Sequence, residues 1–195
     1  GSNVLFSDKG YDGLVIKFEN PKLSQLVSNG LEWVAGIPGT VAGAVYGNAG
    51  AFGKSMKDAV ESVEVFDAEA EKTKIFKNRD CQFAYRESVF KKNKNLIILS
   101  VKIKSPPKTK AFRRARIKEY LDCKKEKQPL DFPSAGSVFK NPPGFSAAYL
   151  IDQCGLKGKK INGAQISKIH SNFIVNFNNA SSKSVLELID LIKKE

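Results

Sequence analysis

The residues best suited to chemistry gather around one glycine-rich stretch, Gly36-Ile37-Pro38-Gly39-Thr40-Val41-Ala42-Gly43-Ala44. Glycines let backbone N–H groups approach a ligand closely, and Thr40 adds a hydroxyl, a combination that suits a pyrophosphate. The same residues equally suit a tight turn packed against a neighbour. The stretch carries neither the G-x-G-x-x-G dinucleotide fingerprint nor a Walker lysine. Downstream, Arg86 offers a guanidinium fork of the kind that grips a carboxylate. Taken by itself, Tyr85-Arg86 reads as a surface ion pair. Ser137, between Gly136 and Val138-Phe139, is a tightly placed hydroxyl or an ordinary turn serine. The single histidine, His170, removes most metal and triad chemistry and reads as structural. Cys81, Cys123 and Cys154 lie far apart with no Cys-x-x-Cys pair. That usage fits a reducing compartment and argues against a disulfide framework or a zinc site, so no metal is expected.

A scaffold must hold these groups, and 195 residues with 42% hydrophobic content can bury a real core as one large domain or two small ones. Leu14–Phe18 reads as a short strand. Pro21–Asn29 reads as one or two helical turns, with Asn20 as cap and Gly30 as stop. Val60–Asp67 alternates apolar and polar residues as a strand does, Thr73–Phe76 is its hairpin partner, and Leu96–Lys104 is the strongest strand. Ser105-Pro106-Pro107 resists both helix and ladder and marks a domain boundary. A basic helix over about Thr109–Lys127 follows, ended by Gln128-Pro129. Then come a strand-like Ser137–Lys140, a helix over Ser146–Cys154 stopped by Gly155, and a strand at Phe173–Asn176. A last helix opens at Ser182, with Val185, Leu188, Ile189 and Ile192 on one stripe. Strands and helices without a βαβ rhythm predict an α+β fold.

The formal charge of +12 attracts anions of many kinds, nucleotide-sugars and dinucleotides among them. A lysine-rich solvated face would also account for it. The densest runs are Lys108–Arg116 and Lys157–Lys160. No apolar run is long enough to cross a bilayer, and no basic-then-apolar leader opens the chain, so the expectation is a soluble cytoplasmic protein with no membrane partner. The chain begins Gly1-Ser2-Asn3, without an initiator Met.

Several ordered segments share one resemblance. Leu31-Glu32-Trp33-Val34-Ala35-Gly36-Ile37-Pro38-Gly39-Thr40, followed by Asn48-Ala49-Gly50-Ala51-Phe52-Gly53, closely resembles the signature of the UDP-N-acetylenolpyruvoylglucosamine reductases. Gly1-Ser2-Asn3-Val4-Leu5 resembles that family's GSN-x-L segment, and Ala84-Tyr85-Arg86-Glu87-Ser88 its YR-x-S motif. Pro133 to Pro142, reading PSAGSVFKNP, resembles a third. Gly155–Gly158 and Asn172–Asn176 resemble its carboxy-terminal domain. The resemblance implies a FAD-binding part of the vanillyl-alcohol-oxidase-like α+β type, incomplete here, over 1–105. A smaller α/β substrate-binding domain would span 106–195. It implies reduction of enolpyruvyl-UDP-N-acetylglucosamine to UDP-N-acetylmuramate for peptidoglycan, with NADPH reducing the flavin, by a monomer.

Roles follow by motif. Arg86 matches the arginine that stabilises charge on the enolpyruvyl carboxylate, and Ser137 the general acid. Asn141 and Lys127 match nucleotide-sugar contacts. For FAD the matching positions are Gly36, Ile37, Pro38, Gly39, Thr40 and Gly43, then Asn48, Ala49 and Gly50, with Gly1, Ser2 and Asn3 on the other wall. Tyr46 and Phe52 read as packing. The chain departs from the pattern in opening at the GSN segment, in a short link from Phe18 to Leu31, and in stopping at Glu195 before the strand that bears a catalytic glutamate. Ala42 replaces a glycine, Phe52 a tyrosine, and Asn162-Gly163 a Gly-Gly. These departures predict a truncated reductase that binds FAD weakly or does not turn over. The alternative is a non-catalytic remnant that keeps the fold and nucleotide-sugar affinity. A nucleic-acid-binding reading of Lys108–Arg116 lacks an aromatic recognition motif, so no nucleic-acid partner is expected. The PSAGSVFKNP wording implies the subclass without an extra tyrosine-bearing loop.

Overall fold

The computed structural model describes residues 2–15, 17, 21–105 and 107–195, and the chain divides into two compact units. One is Lys17–Asp122; the other joins Gly1–Ile16 to Cys123–Glu195.

In the Lys17–Asp122 unit, a 3-10 helix over Leu23–Asn29 ends at Gly30, whose φ of 102° is the left-handed stop expected of a glycine. The expected cap, Asn20, lies outside the described residues, as do Ile16 and Phe18 of the expected first strand; Leu14, Val15 and Lys17 form no regular structure. A second 3-10 turn, Glu32–Val34, leads into α1 (Val41–Tyr46). The small hairpin β1 (Gly50–Ala51) and β2 (Lys54–Ser55) precedes α2 (Met56–Ala59). Strand β3 (Val60–Asp67) lies central between β4 (Lys72–Lys77) and β5 (Leu96–Ile103), all antiparallel. A bulge between Val60 and Ser62 turns Glu61 outward, and beyond it the strand alternates: Glu64 is only half-buried while Val63 and Val65 are fully buried. They join Leu31, Met56 and Phe90 in one core, with Phe90 supplied by α3 (Val89–Lys92).

Helix α4 (Lys110–Lys127) runs unbroken through the point where the units divide, between Asp122 and Cys123. Strand β5 ends at Ile103, and the compact unit continues beyond it to Asp122. The first part of the helix stays with the β-sheet unit through Tyr120, which is buried in that unit's core. Lys124 on the same helix is 7% exposed, and burial pushes its ammonium down to about 8. Sign follows from linkage. An unfolded lysine titrates near 10.4, so between about 8 and 10.4 the unfolded chain binds the extra proton and stability rises with pH. Urea midpoints at pH 7.5 and pH 10 are expected to show a rise of about 1–3 kcal/mol that Lys124→Met abolishes. Parallel pH profiles for the two proteins would refute this.

The other unit holds a four-stranded antiparallel sheet. Its order is β6 (Ser134–Ser137), β9 (Phe173–Asn176), β8 (Ala164–Ile166) and β7 (Lys160–Ile161). Two helices complete the unit: α5 (Ala147–Gln153), followed by Gly155 at φ 68°, and α6 (Ser182–Lys194). Ile151, Leu156, Ile166, Ile174 and Leu188 form its core, with Val185, Ile189 and Ile192 of the α6 stripe packed against it. The strand expected at Ser137–Lys140 is displaced to Ser134–Ser137. Its ladder partner, β9, runs out at Phe173, which lies opposite Ser137, so Val138 and Phe139 bond to the turn residue Asn172 instead. The amino-terminal segment is fastened to this unit by Asp8. Both of its carboxylate oxygens accept the Ser182 N–H at 2.9 Å, at the start of α6. These bonds hold the Asp8 carboxyl below its ordinary range. No helix among the described residues is long and apolar enough to cross a membrane.

Candidate functional site

The glycine-rich loop is shaped from both ends. The Leu23 N–H donates to the Gly39 carbonyl at 2.9 Å and the Val41 N–H to the Pro21 carbonyl at 3.0 Å, so the loop is pinned against residues 21–23. Gly36 and Gly39 sit at φ 71° and 117°, where a side chain would be strained. A Cβ at Gly39 would have no atom within 4 Å, so the space over that backbone is open. Thr40 caps α1, its hydroxyl accepting the Gly43 N–H at 3.1 Å. Among the described residues, the amides of Gly39, Thr40 and Ala42 donate to no group of the chain. Backbone donors left without a partner beside open space are what an anionic ligand requires.

Asn48 is the hub of the next segment. It is buried, at φ 42°, and its amide donates to the Ala84 carbonyl at 2.8 Å while its oxygen accepts the Lys57 N–H at 2.9 Å. Gly50 is fixed as glycine, because a Cβ there would lie 2.8 Å from the Lys54 carbonyl oxygen. The Ala84–Glu87 turn, closed by reciprocal backbone bonds of 3.1 Å, carries Arg86 at φ 57°. Its guanidinium donates to the Gly50 carbonyl at 3.3 Å. Ser88 locks the turn from behind, donating to the Tyr46 carbonyl at 2.7 Å. Since the Ala49 N–H also bonds the Ala44 carbonyl, the structure joins α1, Asn48–Gly50 and Arg86 into one bonded assembly. The glycine-rich loop, the neighbouring Asn48–Gly50 and the distant Arg86 thus meet in the Lys17–Asp122 unit.

The second set lies in the other unit. Ser137 is exposed at the end of β6, after Gly136 at φ 80°. Ser2 and Asn3 are exposed too, and the Ser2 carbonyl is 4.0 Å from where a Cβ of Gly136 would stand; Gly1 lies outside the described residues. Asn172, which sequence reasoning gave no role, holds the segment after Ser137. It is buried, its oxygen accepts the Phe139 N–H at 2.8 Å and its amide donates back to the Phe139 carbonyl at 2.8 Å. Asn141 accepts the Ala147 N–H at 3.0 Å and so starts α5, and Lys127 is exposed at the end of α4. His170 packs edge-on against Phe173 with ring centroids 4.7 Å apart. Its Nδ1 is buried and meets no hydrogen-bond partner among the described residues, and burial, with Lys157 nearby, holds the imidazole below its ordinary range. Burial also pushes the Cys81 thiol up to about 11, which makes it a poor nucleophile at neutral pH.

Residues 128–195 match the family model described as UDP-N-acetylenolpyruvoylglucosamine reductase, C-terminal domain. The UDP-N-acetylenolpyruvoylglucosamine reductase of Thermotoga maritima is 46% identical, with all of this chain aligned to 76% of the relative. That of Fusobacterium nucleatum is 44% identical over the same shares. That of Caldanaerobacter subterraneus is 40% identical, with the chain covering 71% of its length. This last alignment spans 217 residues, more than the 195 of this chain, so the relative carries internal residues that this chain lacks. Among solved structures, the UDP-N-acetylenolpyruvylglucosamine reductase of Thermus caldophilus superposes with a TM-score of 0.80 at 38% identity. The match covers 89% of this chain and 66% of that one, just under two thirds. The chain belongs to the UDP-N-acetylenolpyruvoylglucosamine reductase family.

Proposed function

We propose that this chain carries the FAD cradle and the substrate-handling residues of a reductase that converts enolpyruvyl-UDP-N-acetylglucosamine to UDP-N-acetylmuramate, a peptidoglycan precursor, as a cytoplasmic monomer. The observation that carries the reading is Arg86. It is held in a left-handed turn, bonded to Gly50, within the same assembly as the glycine-rich loop. The loop also fits a flavin nucleotide on its own terms. Open space over Gly39, and the amides of Gly39, Thr40 and Ala42 that meet no partner among the described residues, suit a pyrophosphate in donor chemistry. FAD bound there supplies the hydride, itself drawn from NADPH. Ala49 and Gly50 belong to the same set of FAD-binding positions, and Ser2 and Asn3 are assigned to FAD by their motif.

Reduction of an enol ether leaves negative charge on the carbon next to the carboxylate, which must be stabilised and then protonated. Arg86 grips the carboxylate and stabilises that charge. Ser137 delivers the proton; a hydroxyl is a poor acid alone, so neighbouring positive charge must assist it. Asn141 and Lys127 hold the nucleotide-sugar.

The test is the visible absorption spectrum of the purified chain, before and after FAD is added and the protein desalted. A retained flavin band, with NADPH oxidation dependent on the enolpyruvyl sugar, is the expected result for a competent reductase. A flavin band without oxidation would leave a binding domain that does not turn over. A colourless protein would refute the cradle assigned to Gly36–Gly50.

A further inference from the structure

We propose that Glu32 is a positioning residue for the glycine-rich loop, and that the start of α4 sets where the loop sits by gripping this carboxylate. The inference rests on the cofactor reading above and deepens it. Glu32 is an acidic side chain that is only 2% exposed. Its Oε2 receives the Lys108 ammonium at 3.5 Å, and its Oε1 faces the Arg113 guanidinium at 3.6 Å and accepts no hydrogen bond among the described residues. Arg113 also donates from Nε to the Lys108 carbonyl at 3.4 Å, so the two cations form one tied pair.

The carboxylate is coupled tightly to the loop. Glu32 opens the 3-10 turn over Glu32–Val34, the Ala35 N–H returns to the Glu32 carbonyl at 3.1 Å, and the Ile37 N–H to the Val34 carbonyl at 2.8 Å. Trp33, Val34 and Ala35 are all buried. No slack residue separates the ion pair from Gly36, so a displacement of Glu32 passes into the loop. A buried ion triad is a poor source of stability compared with an apolar contact of the same volume, because desolvation offsets most of the attraction. What it supplies is a fixed position: the carboxylate must sit where both cations reach it. The three charged groups and the loop all belong to the Lys17–Asp122 unit.

The experiment uses the full chain with Glu32→Gln, Arg113→Gln, the double variant, and Lys108→Gln as the mildest change, since Lys108 is already about a quarter exposed (26%). Two quantities are read: the FAD dissociation constant from flavin fluorescence, and hydrogen exchange of the amides of 36–44 without FAD, against β3 amides as an internal reference. Glu32→Gln and Arg113→Gln are each expected to weaken FAD about tenfold and to speed exchange in 36–44 to a similar degree, with β3 unchanged. The double variant should lie within about threefold of either single variant, because both break the same contact. Lys108→Gln should shift both readings about threefold in the same direction, with an unaltered circular dichroism spectrum. Unchanged exchange in 36–44 would overturn the proposal. If the unaltered chain takes up no FAD while exchange still responds, the cofactor reading fails and the positioning role stands.

Discussion

Gly163→Ala is expected to destabilise the unit that carries Ser137 by at least about 3 kcal/mol, read as a lowered urea midpoint. Gly163 ends the tight connection between β7 and β8, where Ile161 pairs with Ala164. A Cβ there would stand 1.9 Å from the Asn178 carbonyl oxygen and 2.7 Å from the Ala180 nitrogen. Both are backbone atoms, so no rotamer change relieves the overlap, and the chain between β9 and α6 must move. That chain is also held to Gly163, whose carbonyl accepts the Phe177 N–H at 3.0 Å and the Asn178 N–H at 3.2 Å. Moving it breaks both bonds and lifts the start of α6, whose Leu188 is fully buried. Asn162→Gly is the control. Asn162 already sits at φ 47°, which glycine adopts without strain, so the change should stay within about 1 kcal/mol. An unchanged midpoint for Gly163→Ala would show that the turn is not clamped.

This residue also shows what the sequence made legible and what it withheld. Asn162-Gly163 is a strong hairpin signal, yet in the sequence it stands out only as a departure from a Gly-Gly, because two-residue strands carry no period to flag the turn. The long elements announced themselves: β3 by alternation over Val60–Asp67, α6 by its stripe from Val185 to Ile192. The strand at Ser134–Ser137 did not, since Ser, Ala and Gly have little strand preference of their own and take that form only by pairing with β9. The motif residues Gly36, Thr40, Asn48 and Arg86 were visible as a set. Their joining through Asn48, Gly50 and Ala84 was not, because those bonds close over dozens of intervening residues. The same holds for Glu32. It stood inside the best-matched segment without a role, since its partners Lys108 and Arg113 lie more than 70 residues away in the chain.

Arg86→Gly is expected to separate stability from binding. At φ 57° an arginine backbone is strained by about 1 kcal/mol, which glycine relieves. Against this stand one 3.3 Å bond from the guanidinium to the Gly50 carbonyl and a contact with the Tyr85 ring at 5.5 Å, each partly solvated. The two sides are comparable, so the melting temperature should hold or rise slightly. Binding should behave oppositely. A guanidinium gripping a carboxylate contributes about 2–3 kcal/mol, so affinity for the enolpyruvyl nucleotide-sugar should fall roughly 30- to 150-fold by calorimetry. Arg86→Lys keeps the charge but loses the fork and should fall between. If affinity and melting temperature fall together in both variants, the arginine is structural and the role assigned to it is wrong. If affinity alone falls, the strained turn is retained for the ligand. That outcome would explain why a residue other than glycine occupies a backbone conformation that glycine suits better.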